Sequence, residues 1–327
     1  MKHRGFILIY LDENPYTKYS TRSPKVAEFE KAMAQYLGVS DCVAVNSGTS
    51  ALHLALLACG IEDYDTVIIP VLTFIATANA ISYTGAGILF EDVHPKTWVM
   101  CGHYDEDFIV GVDLYGNECD AATYLGNNIG DCAESLGLDA TRSYQCECYS
   151  FNGNKTMSTG SGGLIVGLDI EKIRELANVG RKKGEFNSIG YNYRMNGISA
   201  EMGLKQLPYL DKWVAKKRRF NQIYREQLSD IIQFQEPTPG SNPSWWFTAG
   251  LFEKGTDIIS LQKKLSANGI PTRRIFQPLN QLKPYRTEER FPVAEDIYNR
   301  GLCLPSSTLN SEKDILRACK IIKGGGL

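Results

Sequence analysis

The feature that most constrains the fold of this chain is an alternation of strand-like and helix-like segments along its first half. Short apolar runs typical of buried strands alternate with longer segments whose apolar residues recur at helical spacing. The strand-like runs lie at residues 66–70, 88–92, 108–113 and 163–166, and the helical segments at 25–37, 49–59 and 73–83. This order predicts an α/β fold with a mostly parallel central sheet.

The last third of the chain predicts a smaller α/β domain. A long helical stretch at residues 198–228, interrupted near Pro208, leads into it. Beyond that stretch, WWFT at 245–248 is strand-like, and residues 257–268 are helical and end at Gly269. We therefore expect a large domain at residues 1–210 and a small C-terminal domain at 211–327.

Charge and hydropathy exclude two classes of partner. The 327 residues include 35 lysines and arginines against 37 acidic residues, a formal charge of −2, so we expect no nucleic-acid binding. The basic cluster at 216–219 is interpreted as a solvated helix face, although it or the cluster at 181–183 could attract a nucleotide diphosphate. No apolar run approaches the ~20 residues that span a bilayer, and the N-terminal run is too short for a secretory signal. The sequence predicts a cytoplasmic protein without a membrane partner.

Cysteine and histidine do not predict a metal site. The nine cysteines are odd in number, lie in apolar stretches and form no CxxC pair, which favours structural thiols in a reducing compartment. The four histidines do not cluster either. We therefore expect no bound metal.

One lysine stands in a setting suited to covalent chemistry. A strand-like segment at 147–151 runs into a polar, glycine-rich turn and returns to an apolar strand at 163; residues 150–163 read SFNGNKTMSTGSGG, with Lys155 as the basic residue. An amine on a turn between strands can attack a carbonyl, as a Schiff-base lysine must. The alternative is an ordinary solvated loop lysine.

A possible phosphate site precedes this lysine in the chain. Residues 46–50 read NSGTS, between an apolar strand and an apolar helix. Gly48 permits close approach of a ligand to the backbone, and Thr49 and Ser50 lie where a helix N-terminus offers free N–H groups. A simple Ser/Thr helix cap is the alternative.

Two carboxylates follow a short strand in the segment IGDCAES at residues 129–135. Asp131 comes directly after the strand, and Glu134 follows three residues later. An anion beside a pyridine nitrogen would keep that nitrogen protonated and let the ring act as an electron sink. The same spacing also suits a helix-capping Asp with a capping-box Glu.

A fourth segment, IGYNYRMN at residues 189–196, completes a recognisable set. In this order, the four segments resemble those of the PLP-dependent nucleotide-sugar aminotransferases, the DegT/DnrJ/StrS family of fold-type I enzymes. The segments PVLTFIATANA at 70–80, LYG at 114–116 and LPSS at 304–307 agree, so that the resemblance covers about residues 22–321. It implies a fold-type I PLP-dependent transferase and a homodimer whose active sites are shared between subunits.

The resemblance assigns roles to individual residues. Lys155 would form the covalent link to pyridoxal 5'-phosphate and then shuttle a proton, and Asp131 would pair with the pyridinium nitrogen. Phe74 would stack on the ring, although a core aromatic is the alternative. The remaining cofactor contacts would be Glu134 near the phenolic oxygen, with Gly48, Thr49, Ser50, Ser150 and, from the neighbouring subunit, Asn192 at the phosphate.

The resemblance also implies the reaction. L-Glutamate would donate the amino group, and a nucleotide-linked 4-keto-6-deoxy sugar would accept it. The segments at 134–137, 151–155 and 272–274 look most like the branch that aminates UDP-2-acetamido-2,6-dideoxyhexos-4-ulose, on routes to bacillosamine and legionaminic acid. GDP-perosamine synthases are close relatives of that branch, and amination of a dTDP-sugar, at C4 or C3, is a further alternative.

Substrate contacts are expected from Arg273, Arg274 and Gln277, with surface salt bridges as the alternative for the arginines. The segments at 117–128 and 138–148 are shorter than the family pattern, and Asp113 and Ser161 also depart from it. A catalytically silent protein of the same fold is therefore a rival hypothesis. A nicotinamide-dependent sugar oxidoreductase is a second rival, but the chain lacks GxGxxG after its first strand.

Overall fold

The computed structural model describes residues 20–21, 23–102, 104, 108–120, 126–139, 144–167 and 169–324. The predicted N-terminal apolar run and parts of the two short segments at 117–128 and 138–148 lie outside the described residues. Within the described ranges, no helix combines the length and the apolar character needed to cross a membrane.

A seven-stranded sheet forms the centre of the larger part of the chain. Its order is β1-β7-β6-β5-β4-β2-β3, and the five strands from β6 to β3 in this row pair in parallel with one another. Strand β7 alone opposes the others, pairing antiparallel with both β6 and β1. The strands are β1 Val43–Val45, β2 Thr66–Pro70, β3 Gly87–Glu91, β4 Phe108–Val112, β5 Asn127–Asp131, β6 Cys146–Ser150 and β7 Gly163–Gly167. The mostly parallel sheet predicted from the sequence is confirmed.

Helices cover both faces of this sheet, as a parallel sheet with buried strands requires. One apolar core lies between the sheet and helices α2 and α3, and a second lies between the opposite face and helices α1 and α5. Helix α1 begins at Pro24 behind a Ser23 cap and ends at Leu37, followed by Gly38, whose φ of 69° favours glycine. The helices of this part are α1 Pro24–Leu37, α2 Gly48–Ala58, α3 Ala76–Ser82, α4 Ile170–Ala177 and α5 Gly197–Gln206.

The C-terminal part contains a four-stranded antiparallel sheet of order β10-β11-β13-β12. A short hairpin, β8 Arg181–Lys182 with β9 Glu185–Phe186, precedes it in the chain. The strands are β10 Gln233–Phe234, β11 Thr248–Leu251, β12 Arg273–Arg274 and β13 Gly301–Leu304. The helices are α6 Leu210–Leu228, α7 Ile258–Ala267, α8 Pro292–Arg300 and α9 Glu312–Gly324. The domain boundary at residue 210 coincides with the start of α6 and stays a prediction.

The predicted strand at 245–248 is displaced in the structure. Strand β11 begins only at Thr248, because Trp245 has a φ of 49°, which lies outside the strand region. The turn at Trp245 packs closely against Gly116, where an added Cβ would lie 2.9 Å from the Trp245 backbone nitrogen. As a result, Trp246 points its indole nitrogen at the carbonyl of Asn154 in the lysine-bearing turn, 2.9 Å away.

The basic cluster at 216–219 is not a solvated helix face. Lys217 is only 5% exposed, and its amine donates to the backbone carbonyls of Trp246 and Ser306, each at 2.9 Å. Arg218 donates to the carbonyls of Gly137, Asn242 and Pro243. The interpretation from sequence is wrong for these two residues, because helix α6 turns them toward backbone oxygen atoms of neighbouring segments.

Candidate active site

A cavity of about 680 Å³ opens at the carboxyl edge of the parallel strands. Ligands of open α/β sheets commonly bind at this edge. The cavity is lined by residues that end or follow β1, β2, β4, β5 and β6 and by segments of the C-terminal part. Of the residues expected from sequence, it brings together Gly48, Thr49, Phe74, Asp131, Glu134, Ser150, Lys155, Arg273, Arg274 and Gln277.

Lys155 lies on the turn between β6 and β7 and points into the cavity. Its side chain is 13% exposed, and its Nζ lies 3.2 Å from Oε1 of Glu134. The same Nζ lies 3.9 Å from the centroid of the Trp246 ring. The alternative of a solvated loop lysine is therefore wrong, because the amine is enclosed between a carboxylate and an aromatic face.

Asp131 is the last residue of β5 and is buried beneath the cavity. Its Oδ2 accepts a hydrogen bond from Oγ1 of Thr77 at 2.7 Å, and its Oδ1 accepts one from the backbone N–H of Ala133 at 3.2 Å. Burial raises the pKa of the Asp131 carboxyl, whereas these hydrogen bonds and the charge of Lys155 oppose the increase. The carboxylate can therefore face a cationic ring nitrogen in a dry environment.

Glu134 lies in the loop after β5 and joins two segments of the site. Its Oε2 accepts a hydrogen bond from the backbone N–H of Tyr115 at 2.8 Å, while its Oε1 faces Lys155. Burial raises the pKa of Glu134, and Lys155 and the Tyr115 N–H oppose the increase. The helix-capping alternative for the two acids is wrong, since residues 132–139 contain no helix.

Helix α2 presents its N-terminus to the cavity. The hydroxyl of Ser47 caps the helix by accepting a hydrogen bond from the backbone N–H of Ser50 at 3.1 Å. The N–H groups of Gly48 and Thr49 have no intrahelical partner, because they belong to the first turn of the helix. A Cβ on Gly48 would lie 2.9 Å from Cβ of Ser150, so the junction leaves no room for a side chain. The helix cap and the anion-accepting N-terminus thus coexist.

Two expected cofactor residues do not line the cavity. Ser50 is buried, and its hydroxyl donates to Oδ1 of Asn46 at 2.7 Å. Asn192 is exposed, and its Oδ1 accepts from Nη2 of Arg194 at 2.9 Å. Ser50 therefore supports the loop from behind, and Asn192 lies outside the cavity of its own chain.

The opposite wall carries aromatic and cationic side chains. Phe74 is 55% exposed with its ring 5.6 Å from that of Phe276, so the alternative of a core aromatic is wrong. The Arg274 guanidinium lies 4.6 Å from the Tyr298 ring and donates to the Tyr298 carbonyl at 2.6 Å. Neither Arg274 nor Arg273 forms an ion pair within the described ranges, so the salt-bridge alternative is not supported.

Several residues of the site were missed from sequence. Thr77 holds Asp131, Tyr115 holds Glu134 through its backbone, and Trp246 lies against Lys155. Thr77 belongs to the segment 70–80 that was already singled out, one helical turn beyond Thr73, so its position was recognisable. For Trp246, the only signal was its place in a pair of tryptophans at 245 and 246.

No metal centre accompanies these groups in the described part of the chain. Among the described residues, no three His, Cys, Asp or Glu side chains are arranged to hold a metal ion. The groups that the cavity presents are an amine, two buried carboxylates and a helix N-terminus. This set suits an enzyme that holds a phosphorylated, ring-containing cofactor at a lysine.

Comparison with known proteins identifies the family. The chain matches the model of the DegT/DnrJ/EryC1/StrS aminotransferase family over residues 10–323 and belongs to that family. It is 33% identical to a GDP-perosamine synthase of Escherichia coli O157:H7, over 94% of this chain and 91% of the relative. A GDP-perosamine synthase of Caulobacter vibrioides is 35% identical, over 96% of this chain and 92% of the relative.

A solved structure agrees in fold. A DegT DnrJ EryC1 StrS aminotransferase from Brucella abortus superposes with a TM-score of 0.86 at 28% identity, covering 94% of this chain and 91% of that one. The protein is a PLP-dependent sugar aminotransferase with the fold-type I architecture expected from sequence. The nicotinamide oxidoreductase alternative is thereby excluded.

The residues present fit pyridoxal 5'-phosphate. The free N–H groups of Gly48 and Thr49 suit a phosphate, the buried carboxylate of Asp131 suits a protonated ring nitrogen, and the enclosed amine of Lys155 suits an aldehyde. The close packing of Gly48 on Ser150 matches a loop that approaches a ligand with its backbone. The donor set thus agrees with the cofactor of the family.

Proposed function

We propose that this protein transfers an amino group from L-glutamate to the 4-keto group of a nucleotide-linked 4-keto-6-deoxy sugar. One observation carries the proposal: a single cavity joins the amine of Lys155, the buried carboxylates of Asp131 and Glu134, the N-terminus of α2 and the arginines 273 and 274, which form no ion pair with any described residue. In this proposal the lysine, the two carboxylates and the helix N-terminus bind the cofactor, and the two arginines bind an anionic substrate.

Each chain residue has a defined task in this proposal. When bound, PLP supplies an electron-withdrawing ring that stabilises negative charge at the reacting carbon. Asp131 holds the proton on the ring nitrogen, Gly48, Thr49 and Ser150 hold the phosphate, and Phe74 covers a ring face. Lys155 captures the cofactor, and its Nζ, when free, holds the proton that is moved to or from the reacting carbon.

Glu134 supports Lys155 in both tasks. Its Oε1 lies within hydrogen-bond distance of Nζ, and the Tyr115 N–H fixes the other carboxylate oxygen. A carboxylate held in this way keeps the amine directed into the cavity. Glu134 would also contact the phenolic oxygen of bound PLP, as the family resemblance implies.

The substrate is anchored on the wall formed by Arg273, Arg274 and Gln277. Guanidinium groups without a carboxylate partner suit a diphosphate, which they can bind with charge-assisted hydrogen bonds. The sequence motifs favour UDP-2-acetamido-2,6-dideoxyhexos-4-ulose as the sugar nucleotide. A GDP-linked sugar is the second candidate, because both relatives described above are named GDP-perosamine synthase.

We further propose a homodimer with shared active sites. Asn192 is exposed outside the cavity of its own chain, and the neighbouring Phe186 and Ile189 are 70% and 89% exposed. Large apolar side chains in such positions commonly mark an interface. Mixing the Lys155→Ala and Asn192→Ala proteins should restore about a quarter of wild-type activity, since one intact site forms in each mixed dimer. Recovery of no activity from two inactive parents would overturn the shared site.

The test of the function is a visible absorbance titration of the purified protein. Addition of PLP should produce a yellow band that L-glutamate then bleaches, and addition of the UDP- or GDP-linked keto sugar should restore it. Restoration by one of the two nucleotides identifies the substrate. If the band bleaches but neither of these sugar nucleotides restores it, a dTDP-linked keto sugar is added in the same way, and its failure as well would support the catalytically silent alternative for the sugar half-reaction. The absence of any band would refute the role of Lys155.

A further inference from the structure

Helix α6 contains a buried lysine that the reaction as described does not use. The Lys217 amine is enclosed, and it donates to the carbonyls of Trp246 and Ser306 at 2.9 Å. No carboxylate pairs with it in the part of the chain that the structure describes. Burial lowers the pKa of Lys217 to about 8, as expected for an ammonium removed from water without a counter-ion.

A charge buried at such a cost calls for a specific role. An unpaired buried ammonium is unfavourable, and an apolar side chain of similar length is commonly the more stable choice. The two carbonyls that Lys217 binds belong to separate segments, one before β11 and one after β13. The lysine therefore fixes the segment that carries Trp246 against the rest of the small sheet.

Trp246 connects this anchor to the reacting amine. Its ring centroid lies 3.9 Å from Nζ of Lys155, and its indole N–H donates to the carbonyl of Asn154 at 2.9 Å, directly before the lysine in the chain. The tryptophan thus contacts both the amine and the backbone of the turn that presents it. An ammonium over an indole face is a favourable contact, and indole is the best of the aromatic partners.

We propose that Trp246 is the platform that positions the free amine of Lys155, and that Lys217 is the positioning residue that holds this platform in place. The proposal rests on the proposed role of Lys155 as the reacting amine. Glu134 and Trp246 would then hold Nζ from two directions, so that the amine occupies one position whenever it is not joined to the cofactor. Lys217 acts on the reaction only through Trp246.

The first test measures the amine itself in the protein without cofactor. Acetylation of Lys155 by a small amine-reactive reagent is followed by mass spectrometry in the wild type and in Trp246→Leu, Trp246→Phe and Lys217→Met. A held amine reacts slowly, so we expect Trp246→Leu to label about ten-fold faster, the scale of one lost cation–π contact. Trp246→Phe should remain near wild type because it keeps an aromatic face, and Lys217→Met should label faster than wild type.

The second test measures the rate at which added PLP forms its absorbance band. Trp246→Leu and Lys217→Met should capture the cofactor about ten-fold more slowly, because the amine no longer starts from one position. Lys216→Met is the matched control, since Lys216 lies on the same helix and donates to the carbonyl of Thr308 at 2.6 Å. That variant should behave as the wild type in both tests.

The outcomes separate the possible explanations. If Trp246→Phe behaves as Trp246→Leu, the indole hydrogen bond to Asn154 and not the ring face holds the turn, and the platform is overturned. If Lys217→Met changes thermal stability but neither rate, Lys217 is merely structural and its positioning role is overturned. If Trp246→Leu fails to fold, the labelling and PLP-capture rates of Trp246→Phe and Lys217→Met still test the proposal. Failure of the wild type to capture PLP would instead refute the proposed function.

Discussion

Oε1 of Glu134 lies 3.2 Å from Nζ of Lys155, although 21 residues separate them in the chain. The pair forms because the Glu134 loop follows β5 and the lysine turn follows β6, two neighbouring parallel strands that end at the same edge of the sheet. The second carboxylate oxygen is held by the N–H of Tyr115, a residue with a φ of 58°. A left-handed backbone at a non-glycine residue is typical of functional sites.

Lys155→Ala should remove both turnover and the covalent link to PLP while the protein stays folded. The side chain contacts Glu134 and Trp246 but belongs to a turn, so its loss removes little packing. Thermal unfolding and the visible absorbance of the purified variant provide the measurements. Retained amination would contradict the role assigned to the lysine.

Asp131→Asn should slow both half-reactions by about 100-fold, since a neutral amide cannot keep the ring nitrogen protonated. The substitution preserves the shape of the side chain and an acceptor for Thr77, whose hydroxyl lies 2.7 Å from Oδ2. Stopped-flow absorbance with glutamate, and separately with the keto sugar, measures each half-reaction. Full rates in a folded variant would show that the ring nitrogen needs no anion.

Gly48→Ala should weaken the binding of PLP by about ten-fold or more, equivalent to ~1.4 kcal/mol. The added Cβ would lie 2.9 Å from Cβ of Ser150, so the N-terminus of α2 must shift away from its phosphate-binding position. Equilibrium titration of the cofactor measures the effect. Gly324→Ala is the control, because nothing lies within 4 Å of its Cβ position. Unchanged affinity in Gly48→Ala would place the phosphate elsewhere.

Lys217 should make the stability of the protein depend on pH in the alkaline range. Its folded-state pKa is about 8, below the ordinary value of about 10.4, so between these values the unfolded chain binds more protons than the folded one. Stability contributed by this group therefore rises with pH through that window and is lowest below pH 8.

Urea unfolding of the wild type and Lys217→Met measures this dependence. The free energy of unfolding of the wild type relative to the variant should rise by on the order of 2 kcal/mol between pH 7.5 and 9.5. The same comparison with Lys216→Met should give a difference independent of pH. An equally flat difference for Lys217→Met would mean that the buried amine stays charged throughout this range, as it does in the unfolded chain, and that its pKa is not lowered.

The sequence located the components of the cavity but not their mutual contacts. Residues 48, 131, 150 and 155 each end or follow a strand, and parallel strands place their carboxyl ends at one edge, so their proximity was predictable. The directions of the individual strands were not all predictable. The sequence of β7 is that of an ordinary buried strand, yet β7 runs antiparallel to β6.

Two errors have the same physical origin. The strand expected at 245–248 is displaced by the left-handed turn at Trp245, and Lys217 is buried although it stands among four consecutive basic residues. Propensity and charge describe each segment alone, whereas both outcomes depend on distant partners, Gly116 in one case and the carbonyl of Ser306 in the other. Such long-range contacts leave no local pattern in the sequence.

The antiparallel course of β7 ties both ends of the lysine-bearing turn to adjacent strands of one sheet. The N–H of Phe151 donates to the carbonyl of Gly162 at 2.9 Å, which closes the turn at its base. Two parallel neighbouring strands would need a crossover connection such as a helix between them. Here the chain leaves the sheet at the end of β6 and re-enters it directly beside that point, at the start of β7. Natural variation or engineered shortening of other loops around the cavity can thus reshape the substrate wall while the backbone of the lysine-bearing turn keeps its place.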